Sequence, residues 1–300
     1  MNNEMLFYKD IEYRILNIDN QKDGYREFLK DIKDRRELGI NNEYEIKGES
    51  LDDFKSVHGF EPRSVVVIFV PYMTQGKYEK ALNSNLSAHA CSMDYHSIVG
   101  GIIENIAADI TKKNSGASFF VQCDNGPFNE RFFALASGIG KKGINSTVIN
   151  DKYGSYGFLG LIITDANLDE VKTLKRNCIG CKICIDACPS NAISETGINF
   201  NKCISYLTQK KSLSIEEEFL ISKQKKIYGC DICQGVCPEN KNKKYSNIED
   251  FNLDLLYNID LDEILNTGNR EFKRKYSDRN FTWKGRNVIL RNLLIDKKYE

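Results

Sequence analysis

The sequence predicts an α/β layer over residues 1–165, a small cysteine-rich module over 166–242 and a helical C-terminal segment over 243–300. Two observations predict the layer, namely continuous apolar runs typical of buried strands and apolar residues at helical spacing between them. A third observation predicts the cysteine-rich module, because eight of the ten cysteines lie from Cys178 to Cys237. A chain of 300 residues with 41% hydrophobic residues can bury the cores of one or two domains.

The layer is predicted from its elements in order. Residues 1–60 are polar, with a helical pattern over 25–38. The run from Ser64 to Val70 is apolar and β-branched and ends at Pro71, which is typical of a buried strand. Apolar residues then recur every three or four positions from about Tyr95 to Lys112, which predicts an amphipathic helix. The remaining predictions are a strand over 119–123, a helix over 130–137, a strand over 147–149 and a strand over 157–164.

Asp124 is the candidate catalytic residue of this layer. It follows the strand over 119–123 and begins the turn sequence Asp124-Asn125-Gly126-Pro127. Open α/β sheets place their active sites at the carboxyl ends of strands, and this position therefore favours a catalytic role. The simpler interpretation is that an Asp before Asn-Gly caps the turn.

Three glycines form a weaker motif in the same layer. Gly138, Gly140 and Gly143 have a spacing similar to that of a dinucleotide-binding fingerprint. They follow a predicted helix, whereas the fingerprint follows a strand. We therefore predict a loop here and no NAD site.

The cysteine-rich stretch contains two related motifs and one isolated cysteine. The first motif has the C-x2-C-x2-C-x3-C-P spacing of bacterial iron–sulfur proteins, in which the fourth cysteine binds the neighbouring cluster. The second motif is C-x2-C-x3-C-P and lacks one cysteine, which Cys203 can replace. Eight thiolates are enough for two [4Fe–4S] clusters in a ferredoxin-like module. The predicted ligands are Cys178, Cys181, Cys184 and Cys237 for cluster 1, and Cys188, Cys203, Cys230 and Cys233 for cluster 2.

Zinc sites and disulfide frameworks also use cysteines two residues apart. Zinc does not require the complete first motif, and disulfides require an oxidising compartment. The N-terminal sequence MNNEMLFYKD has no signal-peptide pattern, so a reducing cytoplasm is expected. Cys91 and Cys123 lie far outside the stretch and are not expected to be ligands.

Charge is balanced overall, with 42 basic and 42 acidic residues, so no net field directs the chain to nucleic acid. The C-terminal part is different, because ten basic and three acidic residues lie from Arg270 to Tyr299. Such a run is most simply a solvated helical face, and the alternative is a phosphate-binding surface. No stretch has the length and apolar character of a membrane span, and a monomer is expected.

The module contains the segments Cys203-Ile-Ser-Tyr-Leu-Thr208 and Tyr228-Gly-Cys-Asp-Ile-Cys-Gln-Gly-Val-Cys-Pro238. Both resemble the epoxyqueuosine reductase family, whose members are cobalamin-dependent and act in the last step of queuosine synthesis in tRNA. Reductive dehalogenases are looser matches. Further similar segments are Asp94-Tyr95-His96, Asp124 with Glu130-Arg131, Tyr153-Gly-Ser-Tyr156, Leu159-Gly160, Asn269-Arg-Glu-Phe-Lys273, Trp283-x-Gly285-Arg286 and Arg291-Asn292.

The resemblance implies a corrinoid-binding fold like that of reductive dehalogenases, with cobalamin lying between the α/β layer and the cluster module. It implies that Asp124 contacts the corrinoid and donates a proton as the epoxide oxygen leaves. That role requires the corrinoid to desolvate the carboxyl and raise its pKa well above about 3.9. The other implied corrinoid contacts are Val148, Leu159, Ser205, Asp231 and Ile232, of which Val148 and Leu159 would also suit the core of any fold.

The implied partners are the tRNA anticodon stem-loop bearing epoxyqueuosine, held by the basic C-terminal face, and a low-potential electron donor such as ferredoxin or flavodoxin. Two alternatives are an electron carrier without corrinoid and a corrinoid-dependent reductase of another small molecule. Cobalamin binding and a requirement for tRNA would distinguish them.

The chain departs from the family pattern in three places. Ile144-Asn145 replaces the usual Lys-Asn pair, and Asp52 and Asp53 lie near the position of a family arginine. The chain ends at Glu300, so the C-terminal helical repeat domain of many members is expected to be absent.

Overall fold

The structure is a computed structural model that describes residues 10–37 and 48–299. Most of the N-terminal sequence MNNEMLFYKD and Leu38, the last residue of the first predicted helix, lie outside the described residues. The chain divides into two compact units. In the described part, the first unit comprises 10–37, 48–71, 96–143 and 147–179, and the second comprises 72–95, 144–146 and 180–299.

A four-stranded sheet forms the centre of the first unit. Its strands, in the order β1-β2-β6-β3, are all antiparallel to their neighbours. Every residue of β2 is buried, and because side chains alternate along a strand, both faces of the sheet must be covered there. The strands are β1 (Glu12–Asn17), β2 (Ser64–Pro71), β3 (Phe119–Gln122) and β6 (Gly157–Thr164), and a separate hairpin joins β4 (Lys141–Lys142) to β5 (Val148–Ile149).

Helices and aromatic side chains cover this sheet. One core cluster includes Val65, Val67 and Phe69 of β2 together with Tyr25 and Phe133 from two of the helices. Another helix approaches β6 so closely that a Cβ on Gly160 would lie 2.2 Å from Ile103 Cδ1, so glycine is required there. The helices of this unit are α1 (Lys22–Glu37), α2 (Phe54–His58), α4 (Tyr95–Lys113, whose first residue belongs to the second unit) and α5 (Glu130–Ser137).

The antiparallel sheet changes one argument made from the sequence. Strands alternating with helices suggested an open α/β sheet, and β1 was not predicted because most of its side chains are only half-buried and polar. β3 is an edge strand that pairs with β6 in the antiparallel sense. The rule that active sites lie at the carboxyl ends of parallel strands therefore does not apply to Asp124, whose role must be judged from its contacts.

Short helices make up most of the second unit. The segment Tyr72–Tyr95 belongs to it, although the sequence assigned this segment to the first region. The reason is long-range bonding, since Ser87 N–H donates to the Tyr228 carbonyl (3.0 Å) and the Lys226 ammonium donates to the Ala81 carbonyl (2.5 Å). The helices are α3 (Gln75–Leu82), α6 (Ile183–Asp186), α7 (Ile204–Leu207), α8 (Ile215–Ile221), α9 (Ile232–Gly235), α10 (Leu261–Asn266), α11 (Asn269–Lys275) and α12 (Arg286–Lys298), and a hairpin joins β7 (Ile193–Ser194) to β8 (Gly197–Ile198).

The second unit has its own buried side chains. Leu207, Ile221 and Ile295 form a core cluster, and Phe251 and Phe281 are fully buried elsewhere in the unit. Helices this short depend on such packing for stability because few of their backbone groups are bonded within the helix. Across residues 10–37 and 48–299, no helix is long and apolar enough to cross a membrane.

Candidate functional site

Four of the predicted ligand cysteines lie within electrostatic range of one another in the second unit. Burial raises the pKa of Cys230 to about 12, and the nearby Asp231, Cys203 and Cys188 also raise it. Burial likewise raises the pKa of Cys233 to about 12, with further contributions from Cys230 and Cys203. These four thiols are the set that the sequence assigns to cluster 2. Because thiolates are the iron ligands, cluster binding would have to remove these protons, and the positive charge of the irons would favour that loss.

Two of the predicted ligands immediately precede short helices. Cys203 immediately precedes α7, and backbone N–H groups of the following residues act to lower its pKa against the larger raising effect of burial. Cys237 likewise immediately precedes the 3-10 helix Pro238–Asn240, whose backbone N–H groups act to lower its pKa against the larger raising effect of burial. The first N–H groups of a helix have no partner within the helix, so they are available to a thiolate. Hydrogen bonds of this kind also tune the potential of a bound cluster.

Cys188 has a different environment. Burial acts to raise the pKa of its thiol, but hydrogen bonds outweigh burial and lower the pKa overall. The Ala192 N–H donates to the sulfur at 3.4 Å, and the Ser190 hydroxyl lies 3.6 Å from it. These hydrogen bonds would favour the thiolate form of Cys188.

The predicted cluster 1 ligands are divided between the two units. In the second unit, the exposed Cys181 lies close enough to Cys237 to influence its pKa, and Cys184 has the same relation to Cys233. Cys178 belongs to the first unit, where its N–H donates to the Lys142 carbonyl (3.0 Å). That Cys237 crosses to join the first motif as a ligand remains a prediction, and its electrostatic interaction with Cys181 supports it.

The donor set is of the right chemical kind for [4Fe–4S] clusters. Within the described residues, no three Cys, His, Asp or Glu side chains converge as ligands of a single metal ion. The four thiolates of a cube bind four different irons, so they are spread around the cube instead of meeting at one point. The grouping of Cys188, Cys203, Cys230 and Cys233 fits that arrangement.

The two remaining cysteines lie in other surroundings. Cys91 is fully buried in the second unit, where its thiol donates to the Ser87 carbonyl (3.5 Å), and burial raises its pKa. Cys123 belongs to the first unit, next to Asp124, and is partly exposed. That neither binds a cluster remains a prediction.

Asp124 lies on the loop between β3 and α5, and its backbone has a left-handed conformation (φ 61°). Its side chain is 56% exposed, and its Oδ2 atom is 3.4 Å from Nε2 of His96 on α4. The Asp124 N–H donates to Oε1 of Glu130, the first residue of α5 (2.7 Å). The raised pKa at this site belongs to Glu130, at about 8, because of burial and then because of the Asp124 charge. The chain itself thus does not desolvate Asp124, and a bound ligand would have to do so.

The two predicted corrinoid contacts in the first unit lie against its core. Val148 is buried in β5 and belongs to the core cluster, and the half-buried Leu159 on β6 packs against that cluster. These positions agree with the simpler interpretation that both residues stabilise the fold. A role in corrinoid binding remains a prediction for both.

The other three predicted corrinoid contacts belong to the second unit. Ser205 and Ile232 are half-buried on α7 and α9. Asp231 is buried, and its Oδ2 accepts the Ala88 N–H (2.8 Å) and lies 3.8 Å from the Lys226 ammonium. Its Oδ1 is buried with no hydrogen-bond partner among the described residues. An acceptor in this state suits a ligand that carries amide donors, as the side chains of a corrinoid do.

The positions that depart from the family pattern also have defined partners. The Asn145 amide lies 3.5 Å from the Cys233 carbonyl and acts to lower the pKa of that thiol. Asp52 accepts three hydrogen bonds from Arg26 on α1 (2.9, 3.1 and 3.2 Å). The sequence alone could not indicate either contact, since the residues are far apart along the chain.

The basic run of the C-terminal segment is partly neutralised. Lys275 on α11 forms an ion pair with Glu263 (2.6 Å), and Arg274 lies 4.0 Å from Glu271 with its side chain 83% exposed. Lys273 is exposed on the same helix. Nearby in sequence, Trp283 is 62% exposed, and the Lys284 ammonium lies 3.7 Å from its ring centre.

Comparisons with known proteins agree with this site. Residues 177–240 match the family described as the 4Fe-4S double cluster binding domain, so a double-cluster domain is present. The epoxyqueuosine reductase of Leadbetterella byssophila is 32% identical over 248 residues, which are 79% of this chain and 81% of that protein. The epoxyqueuosine reductase of Bacillus cereus is 33% identical over 204 residues, which are 67% of this chain and 53% of that protein. The chain thus spans about half the length of the latter relative.

A solved structure resembles nearly the whole chain. It is a crystal structure of an epoxyqueuosine reductase with an epoxyqueuosine-modified tRNA-Tyr stem loop, and the likeness has a TM-score of 0.78 at 25% sequence identity. The match covers 97% of this chain and 78% of that one. The two units described above therefore follow an architecture that is known from experiment.

Proposed function

Since this chain belongs to the epoxyqueuosine reductase family, we propose that it reduces epoxyqueuosine to queuosine at the wobble position of tRNA. The observation that carries the proposal is the grouping of Cys188, Cys203, Cys230 and Cys233 in a family member that also has an aspartate at Asp124. Removing the epoxide oxygen as water, which leaves an alkene, takes two electrons and two protons. Clusters held by these cysteines would deliver the electrons one at a time, Asp124 would give one proton to the leaving oxygen, and solvent would supply the other.

The eight cysteines would hold two [4Fe–4S] clusters in the sets predicted from the sequence. Bound clusters supply one-electron transfer at potentials that the surrounding protein sets. The chain contributes the thiolates and the N–H groups at the starts of α7 and the Pro238–Asn240 helix, which stabilise negative charge on sulfur. A low-potential donor such as ferredoxin or flavodoxin would reduce the clusters.

The residues that would hold cobalamin are Val148, Leu159, Ser205, Asp231 and Ile232, together with Asp124. When bound, cobalamin supplies a low-valent cobalt that can act on the epoxide. The apolar side chains would exclude water from the corrinoid, and Asp231 Oδ1 would accept a hydrogen bond from one of its amides. Support for this assignment comes from the unsatisfied Asp231 oxygen and from family membership.

Asp124 would act as the proton donor. Its exposed carboxyl would have to be covered by the bound ligands, because desolvation is what raises the pKa of a carboxyl enough to keep its proton near neutral pH. Asp124 would then place the proton on the epoxide oxygen as that oxygen leaves. His96, 3.4 Å from the carboxylate, would orient it.

The substrate would be the tRNA anticodon stem-loop, as in the resembling crystal structure. Lys273 and Arg274 are exposed neighbouring cations on α11, so we propose that they contact phosphates. Lys275 would contribute less because its charge is paired with Glu263. Such a protein would act as a monomer in the cytoplasm.

An omission series would test the proposed function. The protein would be reconstituted anaerobically with iron, sulfide and cobalamin, reduced, and given tRNA that carries epoxyqueuosine, and the nucleosides would then be analysed. Queuosine should form in the complete mixture and not when iron or cobalamin is omitted. Clusters without cobalamin binding would indicate an electron carrier, and activity on a free small molecule without tRNA would indicate another reductase.

A further inference from the structure

The loop that carries Asp124 has a firmly held base. The Gln122 side chain at the end of β3 donates through Nε2 to the Phe128 carbonyl (2.6 Å) and accepts the Phe128 N–H through Oε1 (3.0 Å). A Cβ on Gly126 would lie 2.1 Å from the Gln122 side chain, so the loop packs directly on this amide. The Gln122 side chain therefore joins the two ends of the loop through hydrogen bonds that do not involve Asp124.

The tip of the loop requires its own support. Asp124 has φ 61°, and a left-handed backbone at a residue other than glycine costs roughly 1 kcal/mol or more. The Asp124 N–H donates to Glu130 Oε1 at 2.7 Å, and Gln122 Nε2 lies 3.4 Å from the same oxygen. One carboxyl group therefore contacts both the tip of the loop and its base.

Glu130 is itself rigidly placed. It follows Asn129, which caps α5 by accepting the Phe132 N–H (2.8 Å) and whose own N–H donates to the Tyr25 hydroxyl (3.0 Å). Tyr25 and Phe133 belong to the core of the first unit. The backbone position of Glu130 is thus held by contacts of Asn129 with α5 and with the core.

We propose that Glu130 is the positioning residue of the catalytic loop, and that its carboxyl group anchors the Asp124 backbone so that the Asp124 side chain is presented to the substrate. The proposal rests on the proposed function only in naming Asp124 as the proton donor. The anchoring itself follows from the 2.7 Å contact, the left-handed Asp124 and the fixed start of α5.

The electrostatics give this anchor a pH signature. Burial and then the Asp124 charge raise the pKa of Glu130 to about 8, and the other groups facing it are His96 and the Gln122 amide. Glu130 is therefore mostly neutral at pH 7 and does not repel the Asp124 carboxylate. As the pH rises through about 8, Glu130 loses its proton and adds a second negative charge beside Asp124.

Amide hydrogen exchange of the full-length, reconstituted protein tests the anchor directly. Glu130→Ala removes the acceptor, so exchange at the Asp124 amide and in the 123–128 segment should accelerate by about tenfold, the effect of one lost hydrogen bond. Glu130→Gln keeps an oxygen in place and should stay within about threefold of the wild type. Glu104→Gln, an exposed glutamate on α4, is the matched control and should change nothing. Unchanged exchange in Glu130→Ala would overturn the proposal.

Single-turnover rates with saturating tRNA test the consequence for catalysis. Glu130→Ala should lower the rate by about 10- to 100-fold without weakening tRNA binding, because the donor is misplaced and the substrate is not. At pH 7, Glu130→Gln should react at close to the wild-type rate. Between pH 7 and 9, its rate should not show the change that the wild-type rate shows. Wild-type rates and pH profiles in both variants would overturn the proposal. If the wild type forms no queuosine, the proposed function fails, and the exchange experiment still decides whether Glu130 anchors the loop.

Discussion

Burial acts on different groups in the cluster region and in the Asp124 loop. The predicted cluster 2 ligands Cys230 and Cys233 are half-buried and have a thiol pKa of about 12, so the chain alone keeps them protonated. The Asp124 carboxyl is exposed, and it is the neighbouring Glu130 that burial holds neutral. The cluster region thus depends on iron to set its charge, whereas the loop depends on a second carboxyl and on an arriving ligand. The two regions should therefore fail separately when altered.

Cys203→Ala should have the largest effect, because it removes the fourth thiolate of cluster 2. Two cubes correspond to about eight iron atoms per chain, and the variant should retain about four and lose turnover. Iron analysis and nucleoside analysis measure the two outcomes. Cys123→Ser is the control and should keep its iron. Full iron content in Cys203→Ala would show that this cysteine is not a ligand.

Asp124→Asn should leave the cluster region intact and stop the chemistry. The amide keeps the size of the side chain but cannot donate a carboxyl proton, so the single-turnover rate should fall by about 10²- to 10⁴-fold. Iron content and tRNA binding should be unchanged, and cobalamin should still bind through its other proposed contacts. The control is Asp109→Asn, which replaces a partly exposed carboxylate on α4. A wild-type rate in Asp124→Asn would mean that the proton comes from another group.

Lys226→Met should destabilise the second unit next to the predicted cluster 2 ligand Cys230. The Lys226 ammonium is bonded to the Ala81 and Ser84 carbonyls (2.5 and 3.0 Å) and lies 3.8 Å from the buried Asp231. Removing it would leave a buried carboxylate without its cation, at a cost of about 3 kcal/mol. Denaturant unfolding would measure the loss against Lys225→Met, an exposed neighbour. Equal stabilities of the two variants would contradict this account.

The smallest predicted effect concerns substrate binding. Replacing Lys273, Arg274 and Lys275 with alanine together should weaken tRNA binding and reduce its salt dependence by about one released ion per lost phosphate contact. Because Lys275 is paired with Glu263, the double variant that retains Lys275 should account for most of the change. Binding titrations at several salt concentrations test this, and turnover of bound tRNA should be unaffected. Unaltered binding would leave the run as a solvated helical face.

The two regions also differ in how far the sequence predicts them. The cysteine spacing is local, so the double-cluster domain could be predicted from the motifs, and the ligand sets assigned from them and from one isolated cysteine remain a prediction. The surroundings of Asp124 could not, because the antiparallel pairing of β3 and the contact with His96 join residues that are far apart in sequence. From the sequence, Glu130 could be identified only as an acidic residue at the start of a predicted helix. Asn145 was noted only as the unchanged neighbour of Ile144, which stands where the family has lysine, and its contact with Cys233 required the fold.

Tyr72–Tyr95 belongs to the second unit because of contacts between residues that are likewise far apart in sequence. The segment follows a strand of the first unit along the chain. Nothing in its sequence indicates that its backbone carbonyls accept hydrogen bonds from Lys226. Such contacts depend on which segments the chain folding brings together, and a single sequence does not contain that information in any local pattern. The places where the sequence was insufficient are thus the places where long-range polar contacts determine the environment.

The most direct test of the account is a single turnover by prereduced enzyme without added reductant. Protein carrying about eight iron atoms and bound cobalamin would be reduced, freed of reductant and mixed with an equal amount of tRNA bearing epoxyqueuosine. The account predicts conversion of the bound epoxyqueuosine to queuosine by the wild type, and little conversion by Asp124→Asn despite equal reduction of its clusters. Unchanged epoxyqueuosine with the fully loaded, reduced wild-type protein would contradict it.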